Sequence, residues 1–152
     1  MSTDGRRDTR HQGAIVRDDC ILLIQHRETA TGRSYWLLPG GGIEDGETEE
    51  AWVVREMLEE THLEVGIERL LMEQETPNDR IYQSEKTYLC HVIRGEAAPG
   101  EEPEPEHYTV YSIAEVGWFE LKDPATWGES VTPDAKTYPE LVRIRQILGY
   151  GQ

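Results

Sequence analysis

Apolar positions along this chain fall into short alternating runs and two stretches of helical spacing. Gly13–Arg17 and Cys20–His26 are rich in Ile, Leu and Val, with Asp18-Asp19 between them, which predicts two strands joined by a tight turn. Tyr35–Leu38 is a short apolar run that stops at Pro39-Gly40-Gly41-Gly42. From Thr48 to about Thr61 there is no Gly or Pro, and Ala51, Val54 and Leu58 recur on one helical face. Thr48 suits the N-cap of that helix, and Glu49 and Glu50 in its first turn complement the dipole. Strands are expected at Leu63–Glu75, Glu85–Ile93 and Val116–Leu121. In the second of these, Thr87, Leu89 and His91 alternate with Tyr88, Cys90 and Val92, the pattern of a half-buried strand. Leu141, Ile144, Ile147 and Leu148 form a stripe that predicts a packed helix over Pro139–Leu148. Residues 1–11 are polar and read as a flexible tail, leaving 12–150 as a single domain. The Glu/Pro/Gly/Ala tract Gly95–Glu106 reads as a solvated loop. Strands with two helices on one sheet give an α/β or α+β fold; topology stays open at this point.

Charge narrows the possible ligands. The 152 residues carry a formal net charge of -15. Such a surface disfavours nucleic-acid polymers and anionic membranes, which bind through Lys/Arg stripes. Arg6, Arg7 and Arg10 make only a small cluster. An acidic protein can still hold a small anion when a metal ion sits between them. Cys20 and Cys90 each lie in an apolar run without metal-ligand spacing and read as free thiols. With no signal-like or bilayer-length apolar run, a cytoplasmic setting is expected.

The central helix carries the chemistry. At ~100° per residue, Glu56, Glu59 and Glu60 fall within an arc of roughly 100°, opposite Ala51, Val54 and Leu58. Like charges at these spacings repel by a few tenths of a kcal/mol per pair. A solvated face tolerates that cost, and hard cations bridging the carboxylates turn it into a gain. All-oxygen donors select Mg²⁺, Mn²⁺ or Ca²⁺ over zinc. Arg55 is placed to hold Glu59 at i,i+4, and Glu47 to tie the preceding loop to the helix through Arg55. The glycine run lets backbone approach a ligand, and its carbonyls could complete a metal shell. An acidic helix face or a glycine turn alone would mean little; their joint spacing is the specific observation.

Gly41, Glu47, Arg55-Glu56, Met57, Glu59-Glu60 and Leu63 match the Nudix box, and the chain resembles the Nudix hydrolase family over those 23 residues. The lead-in Trp36-Leu37-Leu38-Pro39-Gly40-Gly41 is also similar to the family's. His62 departs from the pattern, standing where the box has glycine. The resemblance implies an α/β/α sandwich with a mixed central sheet and a loop-helix active site. It implies hydrolysis of a pyrophosphate bond in a nucleoside diphosphate linked to another group: a nucleoside triphosphate, nucleotide sugar, ADP-ribose or dinucleoside polyphosphate. Glu56, Glu59 and Glu60, with a carbonyl of Gly40 or Gly41, would carry Mg²⁺ or Mn²⁺, which neutralise phosphate charge and polarise the attacking water. Glu56, Glu59, Arg55 and Glu47 are the implied catalytic set. The general base is a box glutamate or a glutamate on a distant loop, where Glu101, Glu102, Glu104 and Glu106 are the candidates and Glu106 is the choice. Arg27, Gly41 and Glu106 are the substrate-side candidates. Tyr35, Trp36, Tyr82 and Trp118 could stack on a base, although aromatics more often serve the core. The expected partner is a small nucleotide, and an unpaired apolar strand edge could support a homodimer. Two competing readings are a non-catalytic nucleotide-binding regulator that retains the fold, and a plain acidic interaction protein.

Overall fold

Asp18 and Asp19 both adopt positive φ, 53° and 64°. Two consecutive left-handed residues give a turn whose twist matches that of the strands it joins. The strands are β1 (Arg7–Arg17) and β2 (Cys20–Glu28), paired antiparallel at Val16↔Ile21 and Arg17↔Cys20. The computed structural model describes residues 7–43, 46–77, 79, 82–100 and 111–151. The remaining elements are β3 (Ser34–Leu37), β4 (Gly40–Gly42), α1 (Glu49–Thr61), β5 (Glu64–Glu75), β6 (Tyr82–Arg94), β7 (Tyr111–Glu120) and α2 (Thr137–Ile147). A single 3₁₀ turn, Pro124–Trp127, precedes α2.

Among the described residues the seven strands form one mixed sheet in the order β3-β2-β1-β6-β5. β4 adds to β1, and β7 to β2. β1 and β6 run parallel; the other pairs are antiparallel. Side-chain alternation divides the core in two. Ala14, Ile21, Leu23 and Leu89 pack with Leu141 and Ile144 of α2. Ile15, Leu22, Tyr88 and Cys90 pack with Trp52, Val53 and Met57 of α1. One helix therefore covers each face, and the expected α/β/α sandwich with a mixed central sheet is the observed architecture.

Three local expectations change. The segment read as a tail already belongs to β1 from Arg7, and Arg10, His11 and Gln12 are buried. The strand read as half-buried is covered on both faces, with Glu85, Thr87 and Leu89 buried on one and Tyr88 and Cys90 on the other. The largest change concerns α1, whose buried residues are Trp52, Val53, Glu56, Met57, Glu60 and Thr61. Leu58, expected on its packed back, is 50% exposed, and Ala51 is exposed. The carboxylates share a face with Trp52 and Val53, and that face turns inward.

Arg10 and Gln12 of β1 have partners on the α2 side. Gln12 Nε2 donates to Thr87 Oγ1 (2.9 Å) and to Glu140 Oε1 (3.0 Å), and Arg10 Nε donates to Gln12 Oε1 (3.1 Å). Lys136 Nζ lies 2.9 Å from Glu85 Oε2 and 3.1 Å from Asp79 Oδ2. Burial and the neighbouring Glu85 carboxylate push the Glu140 carboxyl up to about 8. Burial would raise Glu85 too, but the Lys136 ammonium outweighs it and holds Glu85 below the ordinary carboxylate value.

Candidate active site

The lead-in to the glycine run is tied down carbonyl by carbonyl. Thr137 Oγ1 donates to Trp36 O (2.7 Å), Arg10 Nη2 to Leu38 O (2.7 Å), and the Gly13 N–H to Pro39 O (3.0 Å). Gly40 is next, opposite Gln12 in the ladder. Antiparallel pairing alternates hydrogen-bonded and non-hydrogen-bonded positions, so Gly40 turns its polar groups away from β1. Its N–H donates to Glu60 Oε1 (3.2 Å). A Cβ at Gly40 would collide with the His11 carbonyl oxygen, so only glycine fits here. Gly41 is buried beside it, opposite His11.

Helix α1 starts as its sequence predicts. Thr48 Oγ1 accepts from the Ala51 N–H (3.1 Å), satisfying one free donor of the first turn. Glu56 and Glu60 are 0% exposed, and Glu59 stands at the edge with its side chain 36% exposed. Arg55 clamps the outer side. Its Nη1 donates to Glu59 Oε1 (2.9 Å), while Nε and Nη2 form a two-pronged contact with Glu47. That contact holds the Glu47 carboxyl below its ordinary pKa. The Arg55 guanidinium also lies 4.6 Å from the centre of the Trp52 ring, which fixes its plane.

The donor set fits a hard divalent cation. It is all oxygen, two of its carboxylates are fully buried, and Glu59 Oε2 is buried with no hydrogen-bond partner among the described residues. No three His, Cys, Asp or Glu side chains among the described residues form a ready-made metal cage. His62, the departure from the box, adopts φ 65° and ψ 12° and donates its N–H to Leu58 O (3.0 Å). It performs the helix-ending turn that glycine performs at lower conformational cost.

Glu47, Arg55 and Glu59 are brought together by hydrogen bonds, as are Gly40 and Glu60, with Glu56 one turn before Glu60 on the same buried face and Gly41 next to Gly40. Arg27 stands apart: its side chain is exposed, with Nε 3.5 Å from Ser34 Oγ. It alternates with His26 and so points to the other side of the sheet. Glu101, Glu102, Glu104 and Glu106 lie outside the described residues. Trp36 packs in the α2-side core and Trp118 against the α1-side core. Arg10 and Gln12, which brace the lead-in from behind, are missed by sequence reasoning. Their partners Leu38 and Glu140 lie 28 and 128 positions away, and no local pattern announces them.

The family model described as the NUDIX domain matches residues 8–141. The chain belongs to the Nudix family. An ADP-ribose pyrophosphatase of Methanocaldococcus jannaschii is 32% identical over 121 residues, covering 76% of this chain and 71% of that protein. A putative 8-oxo-dGTP diphosphatase 2 of Mycobacterium tuberculosis is 31% identical over 109 residues, covering 70% of this chain and 76% of that protein. The crystal structure of an ADP-ribose pyrophosphatase from Streptococcus suis superposes with a TM-score of 0.66 at 22% identity, covering 95% of this chain and 93% of that one. The first two likenesses, with the domain match, mark this Nudix chain as a pyrophosphohydrolase; the third shows the shared fold. Members of the family generally depend on divalent metal. No helix among the described residues is long and apolar enough to cross a membrane.

Proposed function

We propose that this Nudix chain hydrolyses the pyrophosphate bond of a nucleoside diphosphate linked to another group, with Mg²⁺ or Mn²⁺ bound at Glu56, Glu59, Glu60 and the Gly40 carbonyl. The observation that carries the reading is the pairing of the fixed Gly40 backbone with the inward carboxylates of α1, joined by the Gly40–Glu60 hydrogen bond. The metal would neutralise phosphate charge and lower the pKa of a water. Arg55 and Glu47 would hold Glu59 in place, and Gly41 would let the diphosphate approach the backbone closely. A box glutamate, Glu56 or Glu59, would take the proton from the attacking water. The M. jannaschii and M. tuberculosis relatives support a small nucleotide as substrate and leave the linked group open. The two cysteines are free thiols, which fits a reducing, cytoplasmic setting.

The test is a phosphate-release screen over nucleoside triphosphates, nucleotide sugars, ADP-ribose and dinucleoside polyphosphates, with Mg²⁺ or Mn²⁺ and with chelator. Turnover of at least one class is expected, lost with chelator. Glu60→Gln is expected to lower it on the order of 10²-fold or more. Wild-type turnover in a folded Glu60→Gln variant refutes the metal assignment. No turnover across the screen favours the regulator reading instead.

A further inference from the structure

We propose that His26, Tyr35 and Tyr111 form the subsite that recognises the planar base of the nucleotide. The inference rests on the hydrolase reading and deepens it, by assigning residues to the end of the substrate that does not react. His26 on β2 faces Tyr35 across the β2–β3 register, and Tyr111 on β7 sits opposite Glu28 on the other flank of β2. Alternation puts all three on the α1 side of the sheet, with Leu22. Glu56 and Glu60 face the sheet from that same side.

The three rings form one contiguous group. His26 stacks on Tyr111 at 5.1 Å and meets Tyr35 edge-on at 5.8 Å, and the two tyrosines meet edge-on at 6.4 Å. None of the three belongs to either hydrophobic core. His26 is buried at 6% exposure and makes the floor, while Tyr35 and Tyr111 are only half-buried and keep ring surface available. The Arg33 guanidinium adds a planar cation 5.6 Å from the Tyr35 ring centre. On a chain of net charge -15, π-faces and a planar guanidinium are suitable means of holding a base.

The cluster is also within reach of the carboxylates. Tyr35 is five positions before Gly40, at most ~18 Å along an extended chain.

Binding to the full chain, measured by calorimetry with Mn²⁺, tests the assignment with ADP, GDP and inorganic pyrophosphate as probes. Tyr35→Leu and Tyr111→Leu keep apolar bulk and remove the π-face. Each is expected to weaken ADP and GDP binding about tenfold, as loss of one stacking contact does, and to leave pyrophosphate binding unchanged. Tyr35→Phe keeps the ring and is expected to keep nucleotide binding. Circular dichroism and Tm confirm folding, and Arg33→Ala, an exposed change, supplies a second variant with a smaller loss of the same selectivity. Unchanged ADP and GDP binding in the folded leucine variants and in Arg33→Ala would overturn the proposal. So would equal losses for nucleotide and pyrophosphate. A wild-type chain that binds no pyrophosphate with Mn²⁺ and turns over nothing overturns the hydrolase reading and this inference together. That result shows in the wild type before any variant is made.

Discussion

The two faces of the sheet each bury carboxylates, and they balance that charge differently. On the α2 side Glu140 keeps its proton, Glu85 is held by Lys136, and Gln12 and Arg10 extend the network. Burial favours the neutral form of Glu140, and Lys136 supplies an ammonium for Glu85. On the α1 side Glu56 and Glu60 are buried, and Arg55 is engaged with Glu47 and Glu59 at the outer edge. Buried charge is costly unless matched. On the reading proposed above, a cation from outside would balance the α1-side carboxylates, whereas the α2-side network carries its own ammonium.

The sharpest test of this contrast is Arg55→Ala. It frees Glu47 and Glu59, and a drop in kcat/KM on the order of 10–100-fold is expected, the scale seen when a group that orients metal ligands is lost. Next, Mn²⁺ or Mg²⁺ at about a hundred times its Kd should stabilise the wild type by about 2.7 kcal/mol, read as a Tm rise of roughly 5–10 °C. Glu60→Gln should lose most of that rise, whereas Glu140→Gln should keep it; equal shifts in both would erase the distinction between the faces. Third, Lys136→Met removes the counterion of buried Glu85 and should cost about 2 kcal/mol by denaturant titration, with the metal response intact. The smallest effect is in pH dependence. The folded pKa of Glu140, about 8, is above its ordinary 4.5, so its contribution is full below that ordinary value and fades as pH rises through about 8. Glu85, with its folded pKa lowered, acts in the opposite sense and loses its contribution as pH falls. Glu140→Gln should flatten the alkaline decline in a Tm–pH series; an unchanged decline would place its origin elsewhere.

The box was legible because its chemistry is local: side-chain identities at fixed spacing within one loop and one helix. The same helix shows where pattern reading stops. Ala51, Val54 and Leu58 satisfy the apolar spacing, yet Trp52, Val53 and Met57 form the buried face together with Glu56 and Glu60. Carboxylates placed inward break the rule that polar residues face water, and such breaks concentrate at functional sites. The start of β1 was hidden for a related reason. Arg10, His11 and Gln12 look like a solvated tail, but each meets a partner distant in sequence: Leu38, Glu49 and Glu140. His62 takes the left-handed exit that suits the glycine it replaces, since backbone conformation follows the position in the box. Of the His26–Tyr35–Tyr111 group only Tyr35 was singled out in the sequence, because the group assembles from three strands.

The end of α1 has an engineering consequence. Gly100 donates its N–H to Glu60 O (2.9 Å), Ala98 donates to Thr61 O (3.0 Å), and any side chain at Gly100 would strike the Glu59 carbonyl oxygen. The chain is therefore moored to the last turn of the carboxylate helix just before the acidic tract begins. A segment spliced in after Gly100 would still start from backbone held to the helix end. Gly100 is thus a natural graft point: new loops spliced after it would start beside the carboxylates without disturbing them.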